Sequence, residues 1–334
     1  MSRVSLLFSL MLTVAAHGDL LVVSFVTDSI LRYNETTGEF LGVFVSSGSG
    51  GLDEPYAFAV GPDGNLYVAS FQTDSVKRYD FKDGGFLGDF VSPGSGGLNG
   101  PTGLIFGPDV NGDDKPDLYV LSGFTHEVLA YDGLTGNFIC VSASGNGLSG
   151  PAGLAFDSAG NYLYVSSNDT HDVKRFDAVC SSAPNPAGSF ATGGLSNPHD
   201  PVFGPGYNLY VASHTNHSVV RFNGRTGAFI DVFVFSGSGG LSKAQGLTFG
   251  PDKTGDHWPE LYVASENTNS VKVYDGKTGA FLSDFVPSGS GGLNLPSFLL
   301  FVDVAQSCPA DIDNDGVVGI NDFLDLLAAW GLCP

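Results

Sequence analysis

Three observations predict an all-β chain that folds as a six-bladed β-propeller of four-stranded blades and ends in a small α-helical module. The first is a phrase that returns down the chain. Leu66–Ser70, Leu209–Ser213 and Leu261–Ser265 all read Leu-Tyr-Val-Ala-Ser, and Gly-Ser-Gly-Gly-Leu returns at Gly48–Leu52, Gly94–Leu98, Gly237–Leu241 and Gly289–Leu293; a repeat of this length, built of strand-like runs, sets the architecture. The second is the alternation within each copy, where apolar and polar residues trade places as in strands with one buried face. The third is that the two incomplete copies at the ends complement one another.

In the clearest copy four strands are expected at Ala57–Val60, Leu66–Ala69, Val76–Tyr79 and Phe86–Val91, with Pro62-Asp63-Gly64-Asn65 making the first turn. First strands begin at Pro55, Pro101, Pro151, Pro198, Ala244 and Pro296, at intervals of 46, 50, 47, 46 and 52 residues. Before Pro55 only strands two to four are found, from Leu20 to Val45; after Pro296 only a first strand, Ser297 to Phe301. The fragments add up to one sheet, so five complete copies and the composite give six blades with no open edge between ends. A solenoid, the alternative for such a repeat, has no need of complementary ends. The pattern resembles NHL-type six-bladed propellers over about residues 19–302.

Bulk properties narrow the partners. The 334 residues are 42% hydrophobic and only 15% charged, with a net charge of −21. Such a field repels nucleic acid and anionic membrane and leaves cations, neutral sugars and basic peptides as suitable ligands. Arg3, the apolar run Val4–Val14 and the small residues Val14-Ala15-Ala16 have the order of a secretory signal, 1–16. No other stretch is long and apolar enough to span a bilayer, so an exported, secreted or cell-surface protein is expected. The domains implied are the signal, a propeller at 17–304 and a tail at 305–334. Of four cysteines, Cys308 and Cys333 bracket the tail and are expected to pair in an oxidising compartment. Cys140 and Cys180 fall in neighbouring repeats, and their pairing depends on a Cα separation that sequence does not give.

The tail carries the sharpest chemistry. Asp311, Asp313 and Asp315, Gly316 for the turn, the Val317 carbonyl and Asp322 have the spacing of a calcium loop, and 323–330 puts an apolar face on a short helix. The segment looks like a dockerin-type repeat, EF-hand-like, and is similar to the Cys-bracketed single-repeat tails that end many exported bacterial proteins. That resemblance implies bound calcium and a surface-anchoring or sorting role. Docking to a cohesin-like partner belongs to cellulosomal dockerins, which carry two loops where this chain has one. Two insertions extend the theme: Asp109, Asn111, Asp113 and Asp117 resemble the calcium loops of integrin α-chain propellers, and Asp252, Thr254, Asp256 and Glu260 take matching places three repeats later.

Histidines mark one face. His126, His171 and His217 share a column of the repeat, between strands two and three, that Asp28, Asp74 and Asn269 fill elsewhere. His214 is close in sequence, and His199 and Asp200 sit where a first strand begins. In the similar peptide-amidating lyases and gluconolactonase-like hydrolases this face holds a metal at the channel, and His126 and His199 stand where those lyases put ligands. The resemblance makes His199, Asp200 and His126 catalytic candidates with zinc or another transition metal. Against it, zinc needs its ligand nitrogens roughly 3–4 Å apart, whereas loops one strand out from the axis lie farther away, strands being about 4.8 Å apart; a polar turn position that varies among Asp, Asn and His explains the column without a metal. Three functions follow: a propeller that binds a protein or glycan, a metal-dependent lyase or hydrolase, and a component of a polysaccharide-degrading assembly. Asn34, Asn168 and Asn216 head glycosylation sequons.

Overall fold

A computed structural model describes residues 18–178, 180 and 188–302. The signal segment and the tail, with Asp311, Asp313, Asp315, Val317, Asp322, Cys308 and Cys333, lie outside the described residues. Asp19–Val302 forms one compact unit of six four-stranded antiparallel sheets. Blades 2 to 6 run consecutively, and their innermost strands are Pro55–Val60, Pro101–Gly107, Pro151–Phe156, Pro198–Gly204 and Ala244–Gly250. Blade 1 takes its inner strand, Pro296–Val302, from the far end of the chain and pairs it with Asp19–Ser24, with Asp19 opposite Val302 and Leu20 opposite Phe301. Each inner strand packs on those of its two neighbours, so the ring is closed.

The recurring phrase has a packing reason at every position. Its leucine and valine are fully buried (Leu66 and Val68, for example). Its tyrosine stands edge-on between two phenylalanines, one from its own outer strand and one from the next blade's inner strand. Tyr67 meets Phe90 at 4.8 Å and Phe106 at 4.9 Å, Tyr210 meets Phe233 and Phe249 at 5.0 Å each, and Tyr262 meets Phe285 at 4.9 Å and Phe301 at 4.7 Å. Edge-to-face pairs contribute about 0.5–1.5 kcal/mol beyond area burial, and these join one blade to the next. The Gly-Ser-Gly-Gly linkers serve as floors. Phe86 lies against Gly50 and Phe281 against Gly239, where a Cβ would run into the ring. Tyr79 and Tyr274 donate their hydroxyls to the Ser49 and Ser238 carbonyls at 2.8 and 2.9 Å.

Two hydrogen bonds latch each blade in place as its chain arrives. The phrase's serine accepts the amide of the chain returning to its own blade: Ser70 from Asp53 at 3.1 Å, Ser122 from Asn99 at 3.0 Å, Ser213 from Ser196 at 2.9 Å, and Ser24 from Asn294 at 3.0 Å. The very next amide goes to the previous blade's column residue. Asp28 Oδ1 takes Glu54 N–H at 2.8 Å and Asp74 Oδ1 takes Gly100 N–H at 2.7 Å. His126 Nδ1 takes Gly150 N–H at 3.0 Å, His171 Nδ1 takes Asn197 N–H at 3.0 Å and His217 Nδ1 takes Lys243 N–H at 2.8 Å. Asn269 Oδ1 completes the circle with Leu295 N–H at 2.9 Å. All six acceptors are left-handed, with φ between 50° and 60°, a conformation in which Asn and Asp, and also His, are enriched among non-glycine residues. In all three column histidines the Nδ1 lone pair is thus in use.

The outer halves of the blades alternate in chemistry. Blades 2, 4 and 6 bury Lys77, Lys174 and Lys272. Lys77 and Lys272 reach Asp89 and Asp284 on the outer strand at 2.9 and 2.6 Å, and Lys174 reaches Asp172 at 2.8 Å and Ser189 at 3.2 Å. Blades 1, 3 and 5 place the registered pairs Leu31–Val43, Leu129–Val141 and Val220–Val232 there. Cys140, on the outer strand of blade 3, is disulfide-bonded to Cys180 of blade 4, with Cα atoms 5.8 Å apart.

The latch makes a graded prediction. His217→Ala removes the acceptor for Lys243 N–H and leaves a left-handed alanine, a combined loss of about 2 kcal/mol. His217→Asn, the residue that Asn269 shows to suffice, should stay within about 1 kcal/mol of the parent. Urea denaturation of the two variants measures this, and equal losses would remove the latch as the explanation of the column.

Candidate functional site

The face bearing the turns between strands two and three is assembled from two rings. The inner ring is the second residue of each innermost strand: Tyr56, Thr102, Ala152, His199, Gln245 and Ser297. The outer ring follows each second strand: Phe25, Phe71, Gly123, Asn168, His214 and Glu266. Small hydroxyls in the inner ring tie adjacent blades, Thr102 to the Pro151 carbonyl at 2.6 Å and Ser297 to the Tyr56 carbonyl at 2.8 Å. The remaining positions divide the face in two.

One half is aromatic. Phe25 meets Tyr56 edge-on at 5.8 Å, Tyr56 meets Phe71 at 6.0 Å, and Phe71 meets Phe124 at 5.4 Å. Phe124 is 63% exposed. The other half is polar and centres on Glu266. His214 Nε2 donates to its carboxylate at 2.7 Å, Gln245 Nε2 at 2.8 Å and Lys243 Nζ at 3.0 Å. Burial raises the Glu266 carboxyl, but these three donors outweigh it and hold the group down at about 2. Gln245 also lies within hydrogen-bonding reach of Tyr56, whose hydroxyl is pushed up to about 12 chiefly by burial. Tyr56 thus joins the aromatic arc to the polar cluster.

His199 stacks on His214 with centroids 4.5 Å apart. Burial, and secondarily the charge of His214, push its imidazole down to about 3, so it is neutral. Its Nε2 lies 3.3 Å from Asn197 Oδ1 and 3.4 Å from Asn168 Nδ2. One contact needs a donor and the other an acceptor, so a single tautomer cannot satisfy both. His199 Nδ1 and Asn168 Oδ1 are buried without a hydrogen-bond partner. A carboxylate as weakly basic as Glu266 and an imidazole as weakly basic as His199 are poor proton carriers near neutral pH; the cluster offers fixed donors and acceptors instead.

The three catalytic candidates do not converge as a metal-holding group, although His199 and Asp200 are neighbours on one inner strand. His126 spends Nδ1 on Gly150, and Asp200 turns to the next blade, where Oδ2 accepts Leu247 N–H at 2.9 Å. Among the described residues no group of three or more His, Cys, Asp or Glu converges to hold a metal. In the first insertion Asp109 accepts the amides of Gly112 at 2.7 Å and Asp114 at 2.7 Å, and Asp113 accepts that of Lys115 at 2.9 Å. Asn111 donates to Asp132 at 3.1 Å, while Asp117, fully buried, accepts Val110 N–H at 2.8 Å and Gly133 N–H at 3.2 Å. The second insertion repeats this, with Asp252 on Gly255 and His257 and Glu260 on Lys253 and Gly276. Both loops close on their own carboxylates. Glu266, Lys243, Asn168 and the aromatic arc were missed by sequence reasoning, although the outer-ring column that contains most of them can be read from the repeat.

These features define a six-bladed β-propeller with an asymmetric loop face. No protein-family model matches the chain, and no curated protein sequence does. Among solved structures it is similar to one in a nidogen/laminin complex, with a TM-score of 0.65 and 16% identity over 84% of this chain and 97% of that one. A protein of unknown function from Bacteroides caccae aligns with a TM-score of 0.57 and 15% identity over 86% and 99%. A functionally unknown protein from Desulfotomaculum acetoxidans DSM 771 gives 0.55 and 14% over 85% and 98%. At these identities the likeness is one of fold.

Asp200 makes a pH prediction. Burial lifts its carboxyl from the ordinary 3.8 to about 7, against the opposing Leu247 amide. The unfolded chain therefore releases this proton before the folded one as pH rises, and stability falls between about pH 4 and pH 7. Asp200→Asn keeps an acceptor for Leu247 and carries no charge. It should match the parent near pH 4 and exceed it at pH 8 by a few kcal/mol, about 4 at most. Chemical denaturation at the two pH values checks this; a variant equally stable or weaker at pH 8 would contradict it.

Proposed function

We propose that this is an exported binding propeller that holds a protein or glycan ligand on its loop face and is anchored or assembled through a calcium-stabilised, dockerin-like tail. One observation carries the reading: an aromatic arc, Phe25–Tyr56–Phe71–Phe124, runs into a cluster of fixed hydrogen-bonding groups around Glu266. Aromatic rings supply contact area at small entropic cost, and a preorganised polar set supplies orientation. A propeller of similar fold occurs in a nidogen/laminin complex, which supports a scaffold for binding. Export is supported by the order Arg3, Val4–Val14, Val14-Ala15-Ala16, and calcium in the tail by the spacing of Asp311, Asp313, Asp315, Val317 and Asp322. The NHL-type likeness of the repeat belongs to the same proposal. The acidic balance favours neutral or basic ligands.

The test is retention on arrays of neutral polysaccharides, acidic polysaccharides and basic peptides. Phe71→Ala with Phe124→Ala should lower retention of whichever probe binds by at least about tenfold, since two stacking contacts are removed. Lys115→Ala, in the first insertion, should leave it unchanged. Equal retention by both variants would place the ligand elsewhere and overturn the assignment of this face.

A further inference from the structure

The axis of the ring is occupied by a cavity of about 880 Å³. One end is bounded by Tyr56, His199, Gln245 and Ser297, of which the last three are buried. At the other it reaches Pro108, Asp157 and the exposed Ser158 and Ala159, in the turns between strands one and two. The cavity therefore opens on the face opposite the aromatic arc. Its walls are largely apolar, with Phe58, Leu104, Leu154 and Leu247 among them. A volume of this size, apolar with a few polar groups, is what small-molecule sites have.

The polar groups are placed by a bulge. Pro198 pairs with Ser213 and Pro201 with Val211, so His199 and Asp200 together oppose Ala212. A bulge of two residues against one re-aims side chains that a regular strand would send to opposite faces, and both residues line the cavity. The position of Asp200 is held by Ala57, Gly103, Gly153, Gly246 and Phe298 in the other blades, so the carboxyl is peculiar to blade 5. Leu247 N–H occupies Oδ2, and Oδ1 has no donor among the described residues. His199 Nδ1 also lacks a partner, but the atom is itself buried and does not face the channel.

We propose that this channel is a second binding site, entered from the face opposite the aromatic arc, for a small organic cation: a primary ammonium head that donates to Asp200 Oδ1, carrying an alkyl or aryl body along the apolar wall. The chemistry selects this class. An anion meets the carboxylate and is repelled. A neutral apolar molecule displaces water and leaves this acceptor unpaired, which costs about 1–3 kcal/mol. A bare divalent ion finds one carboxylate where calcium takes six to eight oxygens.

The experiment is calorimetric titration of the full chain at pH 8 with phenethylammonium and, as a neutral near-isostere, 2-phenylethanol. The parent should bind the ammonium at least about tenfold more tightly than the alcohol, the scale of one charge-assisted hydrogen bond. Asp200→Asn should bind the two alike. Leu104→Trp, which fills the channel, should bind neither, while Lys115→Ala, in the first insertion, should behave as the parent. Absence of saturable heat from the ammonium in the parent overturns the site. Preference for the ammonium that survives in Asp200→Asn overturns it too, since the acidic surface would then be the attractant. A Leu104→Trp chain that retains its native near-ultraviolet circular dichroism and still binds has the same force.

Discussion

The ring rests on a pair of consecutive backbone amides at the start of each blade. One is accepted by the serine that ends the blade's own second strand, the other by a left-handed side chain from the blade before. Each amide alone is an ordinary hydrogen bond, worth about 1 kcal/mol net. Together they fix both the position of the incoming strand within its sheet and the rotation of that sheet relative to its neighbour. The tyrosine between two phenylalanines then packs a junction whose geometry is already set. This explains why the acceptor can be Asp, Asn or His: the site requires a short acceptor that tolerates a positive φ, and these three satisfy it.

Because six equivalent positions are set by the latch, differences between blades become free for other use. The inner and outer rings of the loop face carry small groups in blade 3, aromatics in blade 2 and at Phe25 of blade 1, and a charged cluster in blades 5 and 6. The same scaffold buries a lysine and pairs it with a carboxylate in alternate blades, and places an aliphatic pair there in the rest, without disturbing the junctions. The bulge that begins an inner strand holds Tyr56 at the loop face in one blade and places His199 beside Asp200 in another.

Most of the fold could be read from the chain. Strands expected at Leu66–Ala69 and Phe86–Val91 are found at Leu66–Ser70 and Phe86–Val91, because alternation and turn residues agree there. The closure was legible as well, since two fragments lacking complementary strands have one economical partner. The function of the column histidines was not: Asp, Asn and His in one position show a shared constraint, but the amide they accept lies 24 to 26 residues on, across a blade boundary. Glu266 was equally hidden. Its three donors come from blades 5 and 6, at 52, 23 and 21 residues' distance, and no local pattern marks them. His199 drew notice for its residue type, whereas its surroundings, which leave it neutral and half-satisfied, are tertiary.

The composite blade has a consequence for how the protein comes into being. The pairing of Leu20 with Phe301 and Asp19 with Val302 spans nearly the whole propeller, so the first sheet cannot be completed until the last strand has been made. During synthesis, the three strands of blade 1 wait with an unsatisfied inner edge. Long-range closure of this kind is slow and exposed to mispairing. The seam also brings residues 19 and 302 side by side. A circular permutant that joins them and opens one of the Gly-Ser-Gly-Gly linkers would give every sheet its four strands in sequence, and should refold faster than the natural order of the chain.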